Sequence, residues 1–387
     1  MQIYLDYSAT TPCHPNVIAT MSNIWQEQWG NPSSVHEWGQ RAATVLEQAR
    51  MQVADLIHAP AESIVFTSGG TEANNLALMG VARTYANPQH LIISSIEHSA
   101  ILEPARLLEQ QGWQVTRLPV NSHGHVSPIA LENALRSNTV LVSIIYGQSE
   151  VGTLQSIQSL GKIAQDREIL FHTDAVQVAG RLPIDVQTLP VDLLSLSSHK
   201  LYGPQGVGAL YIRPGTDLVP LLAGGGQEQG MRSGTPAVPI IAGFGLAAEM
   251  AAKEMATERL RLIQMRDRMF AHLRDSPYLL PTGDLHQRLP HHLSFCLHPD
   301  VPAAVTGKAL VRQMNLAGIA ISAGSACHSG KLAPSPVLKA MGYSDQQALS
   351  GIRLTLGKQT TPEDIDWTIT TLTQLLQRIV PQAVAIA

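Results

Sequence analysis

Ser63-Ile64-Val65-Phe66-Thr67-Ser68-Gly69-Gly70-Thr71-Glu72 is a short apolar run that stops at two glycines and opens into a helical pattern over residues 72–85. A run this short is strand-sized, and Gly-Gly followed by Thr is turn and cap chemistry. The same order recurs further on. Strand-like runs fall at 91–94, 115–118, 140–145, 169–172, 193–196 and 208–212, with helical stretches at 101–111, 128–135 and 157–165. A long amphipathic helix over 35–57, apolar at three–four spacing, comes before the first strand. Repeated strand–helix alternation predicts an α/β fold, a mainly parallel central sheet flanked by helices on both faces.

After about Gly230 the pattern changes. One long helix is expected over 236–273, followed by strands at 293–297, 318–322 and 351–356 and helices at 302–314, 335–341 and 362–379. That is a smaller α+β unit. The expected division is a large unit of residues 13–254 and a small unit made of 1–12 and 255–387.

Composition narrows the function classes. The chain has 387 residues, of which 44% are hydrophobic and 14% charged, so it is long enough and apolar enough to bury a large core. Its net charge is −4, and its 26 Lys and Arg form no basic run, which argues against a nucleic-acid partner. Three cysteines (Cys13, Cys296 and Cys327) form neither a disulfide framework nor a metal spacing, and fit a reducing, cytoplasmic setting. No apolar run reaches membrane-spanning length, and the N-terminus has no leader pattern, so no membrane association is expected. The pairs His123/His125 and His291-His292 lack acidic or cysteine neighbours at ligand spacing. They are expected to be solvated loop histidines, with no metal.

Ligands in such sheets sit beyond the carboxyl ends of the strands, and the unusual residues fall there. Ser68-Gly69-Gly70-Thr71 can cradle a phosphate at a helix N-terminus, or be a plain turn with Thr71 as cap. Lys200, directly after an apolar run, is either a loop lysine or an amine for imine chemistry with a carbonyl cofactor. Asp174 at the end of another run is either a helix cap or a carboxylate paired with a buried cation such as a protonated pyridine nitrogen. Cys327 lies in Ser322-Ala323-Gly324-Ser325-Ala326-Cys327-His328-Ser329-Gly330, small and polar without apolar period. It is expected to be an exposed thiol on a mobile loop.

Motifs spread over nearly the whole chain join these pieces. They include Tyr4-Leu5-Asp6-Tyr7-Ser8-Ala9-Thr10-Thr11-Pro12, Thr67-Ser68-Gly69-Gly70-Thr71-Glu72-Ala73-Asn74-Asn75, Glu97-His98 and His172-Thr173-Asp174-Ala175-Val176-Gln177. Gly30-Asn31-Pro32-Ser33-Ser34, Ser197-Ser198-His199-Lys200, Gly224-Gly225-Gly226-Gln227-Glu228, Met231-Arg232-Ser233-Gly234-Thr235, the Cys327 run and Ile352-Arg353-Leu354-Thr355-Leu356-Gly357 complete the set. With these the chain resembles the cysteine desulfurases of the nitrogen-fixation and iron–sulfur-assembly type, class V aminotransferase-related enzymes that use pyridoxal 5'-phosphate. The resemblance implies a fold-type I pyridoxal-phosphate transferase. It implies that Lys200 carries the cofactor as an imine, Asp174 pairs with its pyridine nitrogen, Gln177 bonds its ring hydroxyl and His98 stacks on its ring. Gly70, Thr71, Ser197 and His199 would hold the phosphate, and Thr235 would reach the neighbouring subunit's phosphate in a homodimer. Arg353 would clamp the substrate carboxylate. Cys13 and Cys296 match no motif and are read as structural or incidental.

Where the family usually has Asn-Asn-Glu-x-Gly, this chain reads Gln148-Ser149-Glu150-Val151-Gly152, so Ser149 stands at a substrate-binding position. The implied activity is removal of sulfur from L-cysteine, giving L-alanine and a persulfide on Cys327. Lys200 would move the α-proton and His98 relay the thiol proton. The sulfur would pass to a protein acceptor such as an iron–sulfur scaffold, or to thio-cofactor or tRNA modification. Two other readings remain open at this stage: a selenocysteine lyase or cyst(e)ine C–S lyase, and a non-catalytic sulfur-carrier or scaffold subunit.

Overall fold

The computed structural model describes residues 2–324 and 333–386, with side chains up to residue 380. In chain order the elements are β1 (Ile3–Tyr4), α1 (Pro15–Glu27), α2 (Glu37–Asp55), β2 (Ile64–Thr67), α3 (Gly70–Ala82), β3 (His90–Ser94), α4 (Ser99–Gln110), β4 (Gln114–Leu118), α5 (Pro128–Ala134), β5 (Thr139–Ser143), α6 (Ile157–Gln165), β6 (Leu170–Asp174), β7 (Leu193–Ser197) and β8 (Gly208–Ile212). There follow α7 (Val238–Leu273), β9 (Leu279–Pro281), β10 (His292–Leu297), α8 (Gly307–Leu316), β11 (Ile319–Ala320), β12 (Ser322–Ala323), α9 (Pro336–Ala340), α10 (Asp345–Leu349), β13 (Ile352–Thr355) and α11 (Pro362–Ile386).

The expected α/β architecture is present. Seven strands form a central sheet in the order β2-β8-β7-β6-β5-β3-β4. Its β4–β3–β5–β6–β7 part pairs parallel throughout, and β8 runs against both β7 and β2. Strands β3 and β7 are buried at every residue, because helices cover both faces of the sheet. Two hydrophobic cores lie on its two sides. One includes Phe66, Ile92, Phe171 and Phe244, and the other includes Leu76, Leu91, Ile93 and Leu210.

Helix α7 belongs to two cores in turn. Ile241, Phe244, Ala247, Ala248 and Ala251 pack on the large sheet, whereas Leu262, Met265, Met269 and Phe270 pack with β10, β13 and α11. The smaller sheet has the order β12-β13-β10-β9 and is antiparallel.

Several expectations needed correction. The single strand at 318–322 is two short ones: β11 pairs with β1, and β12 pairs with β13 in the other sheet. Helix α8 begins at Gly307 and not at 302. The Val305 N–H closes a turn on the Pro302 carbonyl, and the Thr306 hydroxyl then caps the Ala309 N–H. Helix α1 went unpredicted, although Pro15 stands in its first turn and the His14 ring accepts from the Asn16 N–H.

Candidate active site

The carboxyl ends of β2, β3, β6 and β7 converge, and the N-terminal segment 6–11 crosses over them. The Tyr7 ring, beside Gly357, is buried, and the Leu5 N–H bonds to the Ala320 carbonyl while the Thr355 N–H bonds to the Leu5 carbonyl. This anchoring brings the Ser8 and Ala9 carbonyls to the Lys200 amine, which donates to both at 2.7 Å. Lys200 follows β7 on a single 3₁₀ turn, Ser198–Lys200. Burial, with the Arg353 and Arg181 guanidinium groups nearby, lowers its pKa from 10.5 to about 8. At pH 7 about a tenth of such an amine is unprotonated, far more than of an ordinary surface lysine.

Asp174 ends β6 and is buried. Its Oδ2 accepts from the Asn74 amide at 2.7 Å, and its Oδ1 accepts from the Val176 N–H at 3.0 Å. His98, the N-cap of α4, lies close enough to Asp174 and Lys200 to feel both charges. Burial is the main effect and lowers its pKa. The Ala100 N–H donates to His98 Nδ1 at 3.1 Å, so Nδ1 carries no proton. Gln177 donates to the Ser8 carbonyl at 3.0 Å, and its Oε1 is buried without a partner among the described residues.

Beside these groups a cleft of about 300 Å³ is lined by Ala9, Thr10, Ser68 to Glu72, Ser197, His199 and Gln205 to Val207. Predicted residues Gly70, Thr71, Ser197 and His199 all face it. The N-terminus of α3 opens into it, with the free N–H groups and positive dipole end that suit an anion. Gly69 turns the chain there at φ +156°, ψ 177°, a backbone region essentially closed to side chains. The His199 ring bonds the Thr10 hydroxyl at 3.0 Å, and burial keeps it neutral, with its pKa at about 4.

Arg353 lies on β13. Its Nη2 donates to Asp6 Oδ1 at 2.7 Å and its Nη1 to the Ser149 backbone carbonyl at 3.0 Å; its Nε is buried with no partner among the described residues. Ser149 therefore meets Arg353 through a group that every residue type has. Thr235 is exposed and does not line the cleft. Cys327 lies outside the described residues. Among the described residues before it, Ser322 of β12 lies opposite Arg353 of β13.

Sequence reasoning gave no role to Asn74, a buried amide on a helix whose other buried residues are Ala, Leu, Gly and Val, or to Asp6 as the partner of Arg353. It also misjudged His291 and His292. Both are fully buried at the start of β10, not solvated. Their polar rings fit there because Ser8 Oγ lies 3.1 Å from His291 Nε2 and the Ser149 carbonyl lies 3.1 Å from His292 Nε2. His125 is half-buried against Asp284, and His123 is exposed. Cys296 is buried in β10 and its thiol is pushed up to about 12, which makes it inert at neutral pH.

The aminotransferase class-V family model matches residues 3–367. This chain belongs to that family. A cysteine desulfurase IscS of Dictyoglomus turgidum is 44% identical over 381 residues, covering 98% of this chain and 95% of that protein. A solved NifS-like protein superposes with a TM-score of 0.90 at 34% identity, covering 97% of this chain and all of the other. A solved structure of SspA in complex with cysteine gives 0.82 at 35% identity, covering 92% and 99%. A mainly parallel central sheet flanked by helices is thus the fold of the family, not a chance likeness.

Proposed function

We infer that this protein is a pyridoxal-phosphate-dependent cysteine desulfurase, converting L-cysteine and the Cys327 thiol to L-alanine and a Cys327 persulfide. The carrying observation is the half-buried Lys200 amine, with its lowered pKa, at strand ends beside an anion cleft and a buried carboxylate. The residues present fit the cofactor. The cleft at the N-terminus of α3 suits its phosphate, Asp174 suits a protonated ring nitrogen, and Gln177 Oε1, without a partner among the described residues, suits the ring hydroxyl. When bound, the cofactor supplies an electrophilic carbonyl and a ring that draws electron density from the substrate α-carbon.

The chain's own residues do the rest. Asp174 keeps the ring nitrogen protonated. Arg353 binds the substrate carboxylate with its planar fork, whose Nε has no partner among the described residues. Lys200 Nζ takes the proton from the α-carbon and returns one. The Cys327 thiolate attacks the substrate sulfur. The S–S bond forms as the Cβ–S bond breaks, and Cβ keeps the electron pair and takes a proton, so that alanine leaves. His98, with Nδ1 already occupied, has Nε2 available to pass the thiol proton.

The large unit, 13–254, would hold the cofactor, and the small unit, 1–12 with 255–387, would carry Arg353 and Cys327. The division of α7 between two cores supports this boundary. A homodimer is supported by the exposed Trp25, Trp29, Val35 and Trp38, apolar surface that a partner copy would cover, and by the exposed Thr235. The sulfur acceptor is proposed to be a protein such as an iron–sulfur scaffold. Among the described residues no helix is long and apolar enough to cross a membrane. A cytoplasmic setting is proposed from the free thiols of Cys13 and Cys296.

The test is to measure alanine and persulfide formed from L-cysteine by the holoenzyme and by Cys327→Ala. Stoichiometric persulfide on the parent, and loss of both products in the variant, support the reading. Unchanged alanine production by Cys327→Ala, or pyruvate in place of alanine, overturns it.

A further inference from the structure

His291 and His292 are among the fully buried titratable side chains that the chemistry above does not use. His292 opens β10, opposite Thr355 in the antiparallel pairing with β13, and Ser294 lies opposite Arg353. Residues two apart on a strand share a face, so His292 and Arg353 are diagonal neighbours on one face of the small sheet.

Both side chains converge on one atom, the Ser149 carbonyl oxygen. Arg353 Nη1 donates to it at 3.0 Å, and His292 Nε2 lies 3.1 Å from it. A carbonyl only accepts, so the His292 proton is on Nε2 and Nδ1 is bare. Nδ1 has no partner among the described residues, and Gly152 closes over it. A Cβ at Gly152 would stand 2.7 Å from Nδ1, and the backbone there has φ +80°. Among the described residues the imidazole thus has no alternative bond to make. The turn that carries Ser149 is held on its other side by Gln148, whose Oε1 accepts from the Glu150 and Val151 N–H groups, and Leu289 N–H binds the Gly152 carbonyl.

We propose that His292 is a positioning residue for substrate recognition: by fixing the Ser149 carbonyl it sets the direction of the Arg353 guanidinium that receives the substrate carboxylate. This rests on the reading of Arg353 given above. The Ser149 side chain has no part in it. The aim of the arginine comes instead from behind, from a buried ring that donates to the backbone at position 149.

The experiment compares His292→Leu, His292→Gln and His292→Asn in the holoenzyme. It uses L-cysteine and its decarboxylated analogue cysteamine, with binding followed through the cofactor absorbance and turnover through alanine. Gln can place an amide N–H near the position of Nε2; Asn is too short. Loss of one hydrogen bond to a charged cluster corresponds to roughly tenfold in affinity. The expected result is a KM for L-cysteine about tenfold higher in His292→Leu and His292→Asn, near the parent value in His292→Gln, with a smaller change in kcat. Cysteamine, which has no carboxylate, should bind all four proteins alike. Equal weakening of cysteine and cysteamine, or no rescue by Gln, overturns the proposal. Should the Leu variant show no cooperative melting transition, the Gln and Asn pair carries the same comparison. Arg353→Ala separates the two claims. If it leaves the KM for cysteine unchanged, the reading of Arg353 fails. If it raises KM while the His292 variants do not, only the role of His292 fails.

Discussion

Asn74 donates its amide to Asp174 Oδ2 at 2.7 Å from inside helix α3, so one carboxylate oxygen is held by a side chain 100 residues earlier in the sequence. The other oxygen is held by the Val176 N–H. A buried carboxylate fixed at both oxygens can present its charge in one direction only, which is what pairing with a ring nitrogen needs. Asp174→Asn removes that charge, and alanine formation is expected to fall on the order of 10²-fold or more. Asn74→Ala keeps the charge and removes one partner, so the loss should be about tenfold. Steady-state alanine assays of both variants check the order. A larger loss from Asn74→Ala than from Asp174→Asn would contradict it.

Lys200 gives a pH prediction. Its folded value of about 8 lies below the 10.5 of an unburied lysine. Between those two values the cofactor-free folded chain binds fewer protons than the unfolded chain, so this group makes stability rise with pH across that window. Only the neutral amine attacks a carbonyl carbon. Covalent attachment of added pyridoxal phosphate to the cofactor-free protein should therefore speed up through a midpoint near pH 8. Stopped-flow absorbance from pH 6.5 to 10 reads this directly, with Lys200→Arg as the blank. A midpoint above pH 10 would mean that burial does not tune the amine.

How much of this was legible in the sequence depends on how local each signal is. The strands of the large sheet announce themselves as apolar runs bounded by polar turns, and β8 at Gly208–Ile212 coincides with its expected bounds. Lys200, Asp174, His98 and Gln177 could be placed because each follows a strand end in a motif. His291 and His292 were misread because nothing in their own neighbourhood says that Ser8 and the Ser149 carbonyl, more than 140 residues earlier, will be their partners. The Asp6–Arg353 pair spans 347 positions and was invisible for the same reason. Helix α1 escaped because only Val17 and Ile24 are buried along it, too few for a period to emerge.

Gly69 is the most constrained point of the cleft. Nothing lies within 4 Å of where its Cβ would be, so Gly69→Ala creates no clash. The cost lies in the backbone, which sits at φ +156° and ψ 177°. Alanine there would have to leave this region, at a cost of about 1–3 kcal/mol, or turn the first N–H groups of α3 away from the anion. The dissociation constant for pyridoxal phosphate should rise roughly tenfold or more, since about 1.4 kcal/mol is a factor of ten. The melting temperature of the cofactor-free protein should change much less, because relaxing the turn relieves the strain when no phosphate must be held. Cofactor titration and melting curves of Gly69→Ala test the two halves separately.

The segment that leads to Thr235 is held by a buried ion pair. Arg50 grips Glu228 with both terminal nitrogens, at 2.7 and 2.9 Å, and also donates to the Ile64 carbonyl at 2.8 Å. Glu228 Oε2 accepts in turn from the Phe66 N–H at 2.8 Å. Pulling Glu228 inward forces left-handed backbone on two non-glycine residues, with φ +48° at Glu228 and +56° at Gln229. Removing one partner of a buried pair leaves the other charge stranded, which typically costs about 3–5 kcal/mol. Glu228→Leu should therefore lower the denaturation midpoint sharply. Gln229→Gly acts in the opposite direction. The Gln229 side chain makes one exposed contact, to the Glu62 carbonyl, so glycine loses little there and relieves about 1 kcal/mol of strain. A modest rise in midpoint for Gln229→Gly is expected beside the large fall for Glu228→Leu. If both variants destabilise alike, the strained turn is not held in place by the Arg50–Glu228 pair.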